Sequence, residues 1–111
     1  MTEQAIMNTI LLAMADSGRL MFRNNTGAYK TDAGHYVRYG VGGKGGADLL
    51  GITPVVITPE MVGQTVGVFT ALEIKTSTGK PTAEQKGFLA AVERLGGIAG
   101  VARSAADAEK I

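Results

Sequence analysis

Three charged residues of this chain stand where charge is costly unless it is paired or bound to a metal ion. Glu73 and Lys75 end the apolar run VGVFTALEIK, and Asp48 precedes Glu73 by 25 residues. Alternate side chains of a strand share a face, so Glu73 and Lys75 would lie about 7 Å apart on one face. If the strand that carries Asp48 at its start is a neighbour of the strand that carries Glu73, the strand ends would be about 4.8 Å apart and the two carboxylates would repel each other.

A hard divalent cation with oxygen ligands removes such repulsion. Mg²⁺ suits this pair, because it is commonly held by one or two carboxylates together with waters and substrate phosphate. Lys75 could then orient or deprotonate an attacking water and stabilise the negative charge that develops on phosphorus. The three residues therefore predict metal-dependent phosphodiester hydrolysis.

Two further polar residues fall on the apolar faces of predicted helices. Glu3 shares a stripe with Met7, but a glutamate in a first turn is also a favourable partner for the helix dipole. Gln85 shares a stripe with Phe88, so its amide could point inward near the end of the sheet. The spacing of Thr82 and Gln85 also fits a capping box. Both interpretations stay open for both residues.

The elements that must position these side chains follow from hydrophobic periodicity and from turn and cap residues. In chain order we predict a helix over Thr2–Ser17, a strand over Leu20–Asn24, a polar connection over 25–35, a strand or hairpin arm over Tyr36–Val41, a strand over Ala47–Ile52, a loop over Thr53–Gln64, a strand over Val66–Thr76, a helix over Thr82–Leu95, a strand over Ile98–Arg103 and a short helix from Ser104 to Ile111. Apolar residues on both faces of the strand over Val66–Thr76 predict that it is covered on both sides. The order predicts an α/β domain with a mixed sheet.

Length and composition limit the class of protein. At 111 residues and 45% hydrophobic content, the chain suffices for one core but not for two, so we expect a single domain over residues 1–111. It has no cysteine, which excludes disulfides and thiolate metal sites and favours a cytoplasmic setting. The N-terminal apolar stretch is interrupted by Asn8 and Thr9 and is too short to span a bilayer, so we expect neither a signal peptide nor a membrane helix.

Positive charge is concentrated in one part of the chain, although the net charge is only +1. Between residues 19 and 47 a single acid, Asp32, stands against five basic residues: Arg19, Arg23, Lys30, Arg38 and Lys44. These residues either form a surface that contacts a nucleic-acid backbone or belong to a solvated loop region. His35 lies in the same polar stretch, and we interpret it as solvated or phosphate-contacting rather than as a catalytic base.

The glycine-rich segment GVGGKGG is not a nucleotide-binding P-loop. That motif requires glycine where Arg38 stands and a hydroxyl residue where Gly45 stands. Glycines at this density do let the backbone approach a ligand closely.

The arrangement of Asp48 followed by Glu73-Ile74-Lys75 at a strand end is similar to that of the PD-(D/E)xK nucleases. The further elements are Glu3 in an N-terminal helix, Gly45-Gly46-Ala47-Asp48 as a G-x-x-D element, Gln85 in the helix after the E-x-K, and VARSAADA near the end. Together they resemble the VRR-NUC domain, the virus-type replication and repair nuclease, in its small stand-alone form from phages and prophages. The resemblance spans nearly the whole chain, and Ala47 departs from the proline that gives the superfamily its name.

The resemblance implies a restriction-endonuclease-like three-layer fold, with a mixed central β-sheet flanked by helices. It also implies that Asp48 and Glu73 bind the metal, that the carbonyl of Ile74 completes the metal site and that Lys75 serves the water, with Gln85 and Glu3 as further catalytic residues. The implied cofactor is Mg²⁺, for which Mn²⁺ can substitute, and no organic cofactor is expected.

The implied partner is DNA, and stand-alone domains of this kind look like junction resolvases. We therefore expect a homodimer that cuts branched DNA such as Holliday junctions, with a role in phage replication, recombination or repair in the host cytoplasm. The apolar segment ITPVVITPEMV, with no obvious helix or sheet of its own to bury it, could supply the dimer interface. The alternative is a non-catalytic nucleic-acid or protein interaction module that keeps the nuclease fold.

Overall fold

The computed structural model describes residues 2–111 and divides the chain into two compact units, the first ending at Gly51 and the second spanning Ile52–Ile111. The fold is mixed α/β, with three helices and small sheets. Within residues 2–111, every helix falls short of the length and apolar character that a bilayer crossing requires.

The first unit begins with helix α1 (Glu3–Asp16), as the sequence predicts. The Thr2 side chain accepts a hydrogen bond from the Ala5 amide and so begins the helix. Helix α1 contacts strand β1 (Leu20–Arg23), which pairs with β4 (Leu49–Ile52).

A hairpin completes the first unit. Strand β2 (Gly27–Lys30) pairs antiparallel with β3 (Tyr36–Tyr39), in a register that sets Tyr29 opposite Val37. The prediction of an unstructured polar connection over 25–35 is therefore wrong for its first half. β2 is a strand because β3 supplies its hydrogen-bond partners. The composition of Gly27–Lys30 alone does not indicate a strand.

The second unit contains a β-α-β arrangement. Strand β5 (Thr70–Ile74) pairs in parallel with β6 (Ile98–Ala102), and helix α2 (Ala83–Arg94) joins the two and packs on both. Val92 of α2 and Ala102 of β6 are buried and form the centre of this packing. Helix α3 (Ala105–Glu109), capped by Ser104 as predicted, packs on β6.

The prediction of a long strand over Val66–Thr76, covered on both sides, is wrong. Only Thr70–Ile74 forms the strand, because β6 offers five residues to pair with. The face that carries Thr70, Leu72 and Ile74 is exposed, whereas Ala71 and Glu73 on the other face are half-buried. β5 thus has one better-covered face, and Glu73 lies on it.

The segment between β4 and β5 is a loop, as predicted, with one 3-10 turn over Pro59–Met61. The pKa of Glu60 is lowered because its carboxylate accepts hydrogen bonds from its own backbone amide and from Thr58. Most apolar side chains of this loop are solvent-exposed in the single chain, and Val56 is 85% exposed.

Candidate active site

The two acids predicted in the first unit lie at one cavity. Glu3 of α1 and Asp48, which immediately precedes β4, line a surface cavity of about 240 Å³. Its other lining residues are apolar: Ile6, Met7, Ile10 and Leu49. Glu3 lies in the first turn of α1, so the helix dipole favours its charge. The cavity brings the same residue beside Asp48, which the dipole interpretation alone does not require.

Asn24 holds the segment that carries Asp48. Its Nδ2 donates hydrogen bonds to the Val41 carbonyl at 2.7 Å and to the Ala47 carbonyl at 2.9 Å, and its Oδ1 accepts one from the Val41 amide at 2.9 Å. Its backbone amide donates to the Asp48 carbonyl at 2.9 Å. The side chain of this half-buried residue therefore closes the glycine-rich loop, and side chain and backbone amide together bond the carbonyls of Ala47 and Asp48.

The glycine at position 46 is required by this closure. A Cβ added there would overlap the Val41 carbonyl oxygen and would press on the Asn24 side chain. The constrained glycine is therefore the second residue of the G-x-x-D element, where the two ends of the loop approach closely, whereas a Cβ at Gly45, the glycine of the motif, would meet open space.

In the second unit Glu73 and Lys75 form an ion pair, with 3.6 Å between Lys75 Nζ and Glu73 Oε1. Their side chains are 27% and 21% exposed. The Lys75 amide donates to the Ala102 carbonyl at 3.1 Å, so strand pairing with β6 continues one residue beyond β5. The sequence prediction that these charges share one face and meet at one spot is confirmed.

Arg103 fixes the turn that follows Lys75. Its Nη1 donates to the carbonyls of Thr76 at 2.5 Å and Gly79 at 2.6 Å, while its backbone amide donates to Asp107 Oδ2 at 2.9 Å. The guanidinium thereby holds the chain immediately after the E-x-K to the end of β6. Sequence reasoning missed Arg103 and Asn24 as positioning residues, because each bonds to backbone carbonyls far away along the chain, which no local pattern indicates.

Gln85 satisfies both of its sequence interpretations. Its Oε1 accepts from the Thr82 amide at 2.8 Å and its own amide donates to Thr82 Oγ1 at 3.1 Å, which completes the capping box of α2. It is also half-buried and lines a second cavity, of about 260 Å³, together with Glu73, Glu84 and Phe88. The capping bonds hold Gln85 beside Glu73.

The five predicted DNA-contacting residues all belong to the first unit, and all but the half-buried Arg19 are exposed. Arg23 donates to Gln4 Oε1 at 2.6 Å, and Lys30 lies over the Tyr36 ring. Arg38 lies opposite Ala28 in the hairpin, and Lys44 lies in a 3-10 turn of the glycine-rich loop.

Within each unit, then, the predicted residues come together: Glu3 with Asp48 in the first, and Glu73 with Lys75 and Gln85 in the second. Asp48 and Glu73 adjoin strands with different hydrogen-bonded partners, since β4 pairs with β1 and β5 with β6. Their predicted proximity stays a prediction.

The predicted site offers a metal ion carboxylate and carbonyl oxygens. Among residues 2–111, histidine, aspartate and glutamate side chains do not gather in groups of three or more that could hold a metal. Mg²⁺ is commonly held by one or two carboxylates, with waters and substrate phosphate completing its octahedron. Carboxylate and backbone carbonyl oxygens, as at Glu73 and Ile74, are donors of the type it prefers.

Comparisons with protein-family models, with curated proteins and with solved structures find no match for this chain.

Proposed function

We propose that this protein is a magnesium-dependent DNA endonuclease with a PD-(D/E)xK site of the VRR-NUC type and a restriction-endonuclease-like fold. The observation that carries this proposal is the half-buried Glu73–Lys75 ion pair, which lies just where a parallel strand ends. A pair that served stability alone would contribute little at this exposure, on the order of 0–1 kcal/mol. The pair lies at the end of a short strand, and Glu73 lines one cavity with Gln85, which completes the capping box of α2. This position suits a functional site better than an ion pair that only stabilises the fold.

In this proposal Asp48, Glu73 and the carbonyl of Ile74 would hold Mg²⁺, which would supply Lewis-acid chemistry for a water and for the phosphoryl oxygen. Lys75 orients that water and stabilises the charge that develops on the phosphoryl group. Arg103 keeps the turn after Lys75 in place, and Asn24 keeps the backbone at Asp48 in place. Glu3 supports Asp48, with which it lines one cavity, and Gln85 supports Glu73, with which it lines another.

The test is cleavage of labelled DNA by the full chain with Mg²⁺ and with excess chelator. Asp48→Ala and Glu73→Ala should each abolish cleavage while the circular dichroism spectrum is kept, because Asp48 is exposed and the partly exposed Glu73–Lys75 pair contributes only about 0–1 kcal/mol to stability. Glu84→Ala is the matched control, since Glu84 lines the same cavity as Glu73 but has no assigned role. Cleavage that persists in chelator, or in both variants, would refute the metal-dependent site assigned to Asp48 and Glu73. DNA binding without any cleavage would favour a non-catalytic module.

For the substrate we propose branched DNA, cut by a symmetric homodimer. Two opposed cuts at a four-way junction need two identical sites, and twofold assembly is the commonest way to present them. The loop between β4 and β5 supports this assembly, because it exposes an apolar set that a second copy could bury: Val55, Val56, Ile57 and Val62, between 65% and 85% exposed.

A further inference from the structure

The hairpin formed by β2 and β3 carries all three tyrosines of the chain, and the chain has no tryptophan. Tyr29, Tyr36 and Tyr39 are 55%, 75% and 50% exposed. Large aromatic rings usually bury much of their surface, and a two-stranded hairpin exposed on both faces is marginal by itself. Three exposed rings on one small hairpin are typical of a surface that binds something.

The register of the hairpin sorts its side chains onto two faces. Cross-strand partners share a face, as do alternate residues of one strand. Tyr29 therefore lies with Val37 and Tyr39 on one face, which we call the tyrosine face. The other, which we call the basic face, carries Lys30, Tyr36 and Arg38.

On each face of the hairpin, residues of the two strands contact each other. A Cβ at Gly27 would overlap the hydroxyl and ring of Tyr39, so the Tyr39 ring lies across the backbone of the facing strand and depends on glycine there. On the basic face, Lys30 Nζ lies 5.9 Å from the centre of the Tyr36 ring, a cation–π distance. Tyr36 thus already has a cation beside it.

We propose that the tyrosine face binds unpaired bases of single-stranded DNA by stacking. Every base has a π-face, so aromatic platforms bind single strands whatever their sequence, and a groove or patch of positive charge follows the backbone. Bases inside a duplex keep both faces stacked and cannot occupy the platform. The local excess of basic residues around the hairpin favours a polyanion over an apolar protein partner.

This inference rests on DNA as the substrate of the proposed nuclease, and it refines that substrate to branched DNA that contains unpaired bases. Binding is measured in excess chelator, so that the outcome does not depend on cleavage.

The experiment uses tyrosine fluorescence, which in this chain arises only from the hairpin. The full chain is titrated with an oligothymidylate of about 20 nucleotides, longer than the roughly 4–16 nucleotides that a single-strand-binding fold covers. We expect the single strand to quench the emission and a duplex of equal length to quench it much less. Tyr29→Phe with Tyr39→Phe should keep the affinity but lose most of the quenching, because phenylalanine still stacks but does not report.

Alanine at the same two positions should weaken oligothymidylate binding about tenfold or more, a typical loss when stacking is removed. Tyr36→Ala is the matched control, with the same truncation on the same hairpin but on the opposite face, and it should weaken binding much less. Absence of quenching, equal quenching by duplex, or unchanged affinity in the double alanine variant would overturn the inference. Concentration-dependent self-association that only the double alanine variant loses, without oligothymidylate binding, would overturn it in favour of a protein interface.

Discussion

Replacement of Asn24 by alanine should destabilise the first unit and reduce cleavage together. Three side-chain hydrogen bonds are lost: two to carbonyls of Val41 and Ala47, and one from the Val41 amide. A hydrogen bond contributes about 0.5–1.5 kcal/mol net, so three give about 1.5–4.5 kcal/mol. Asn24 is half-buried and water can replace part of this, so we expect the lower half of that range, about 1.5–3 kcal/mol.

The assay is urea unfolding followed by tyrosine fluorescence, since all three tyrosines lie in the first unit. At urea m-values of about 1–3 kcal/mol per molar, the loss should lower the midpoint by about 1 M. Asn25→Ala is the control, because Asn25 is exposed and makes no side-chain hydrogen bond within residues 2–111. It should change the free energy of unfolding by less than about 0.5 kcal/mol.

Asn24→Asp separates hydrogen bonding from packing. Aspartate has nearly the same shape and keeps an acceptor for the Val41 amide, but it turns a second oxygen toward two carbonyls and donates nothing to them. It should therefore destabilise at least as much as alanine. An aspartate variant as stable as the unaltered protein would show that the Nδ2 hydrogen bonds do not hold the loop. If Asn24→Ala is destabilised but keeps full cleavage activity under native conditions, the hydrogen bonds of Asn24 are not needed for the function of Asp48.

Three further predictions test the proposed nuclease. Lys75→Ala should bind DNA nearly normally but cut at least about a hundredfold more slowly, equivalent to about 2.7 kcal/mol in the barrier. Collapse of binding would make Lys75 a phosphate anchor. Lys86→Ala is the control, because Lys86 is exposed. Val56→Asp should convert a dimer to a monomer in light scattering, whereas Leu12→Asp, at a similarly exposed apolar residue, should not; an unaltered protein that is already monomeric would refute the dimer. Lys30→Ala and Arg38→Ala should each lower the slope of log affinity against log salt by about one, and an unchanged slope in both would place the DNA surface elsewhere.

Helix ends could be predicted from the sequence because caps are local chemistry. Thr2, Thr82 and Ser104 each accept a hydrogen bond from an amide three residues ahead, as their positions before helical segments indicate. The Glu73–Lys75 pair was predictable for a similar reason, since alternation along a strand fixes which side chains share a face.

Strand lengths could not be predicted in the same way, because a strand extends only as far as its partner. The apolar pattern runs from Val66, yet β5 begins at Thr70, opposite Ile98, where β6 begins. β2 was missed for the converse reason: Gly27–Lys30 has weak strand propensity and is a strand because Tyr36–Tyr39 lies beside it.

The long-range hydrogen bonds of side chains give an argument for the site that is independent of any motif. Within residues 2–111, six such bonds join residues at least 12 apart, and five of them come from Asn24 and Arg103. Closing long loops costs entropy, so side chains that hold distant backbone mark segments whose positions matter. Asn24 holds the backbone next to Asp48, and Arg103 holds the turn after Lys75. These bonds therefore fix the backbone beside two residues of the proposed site, as that site would require.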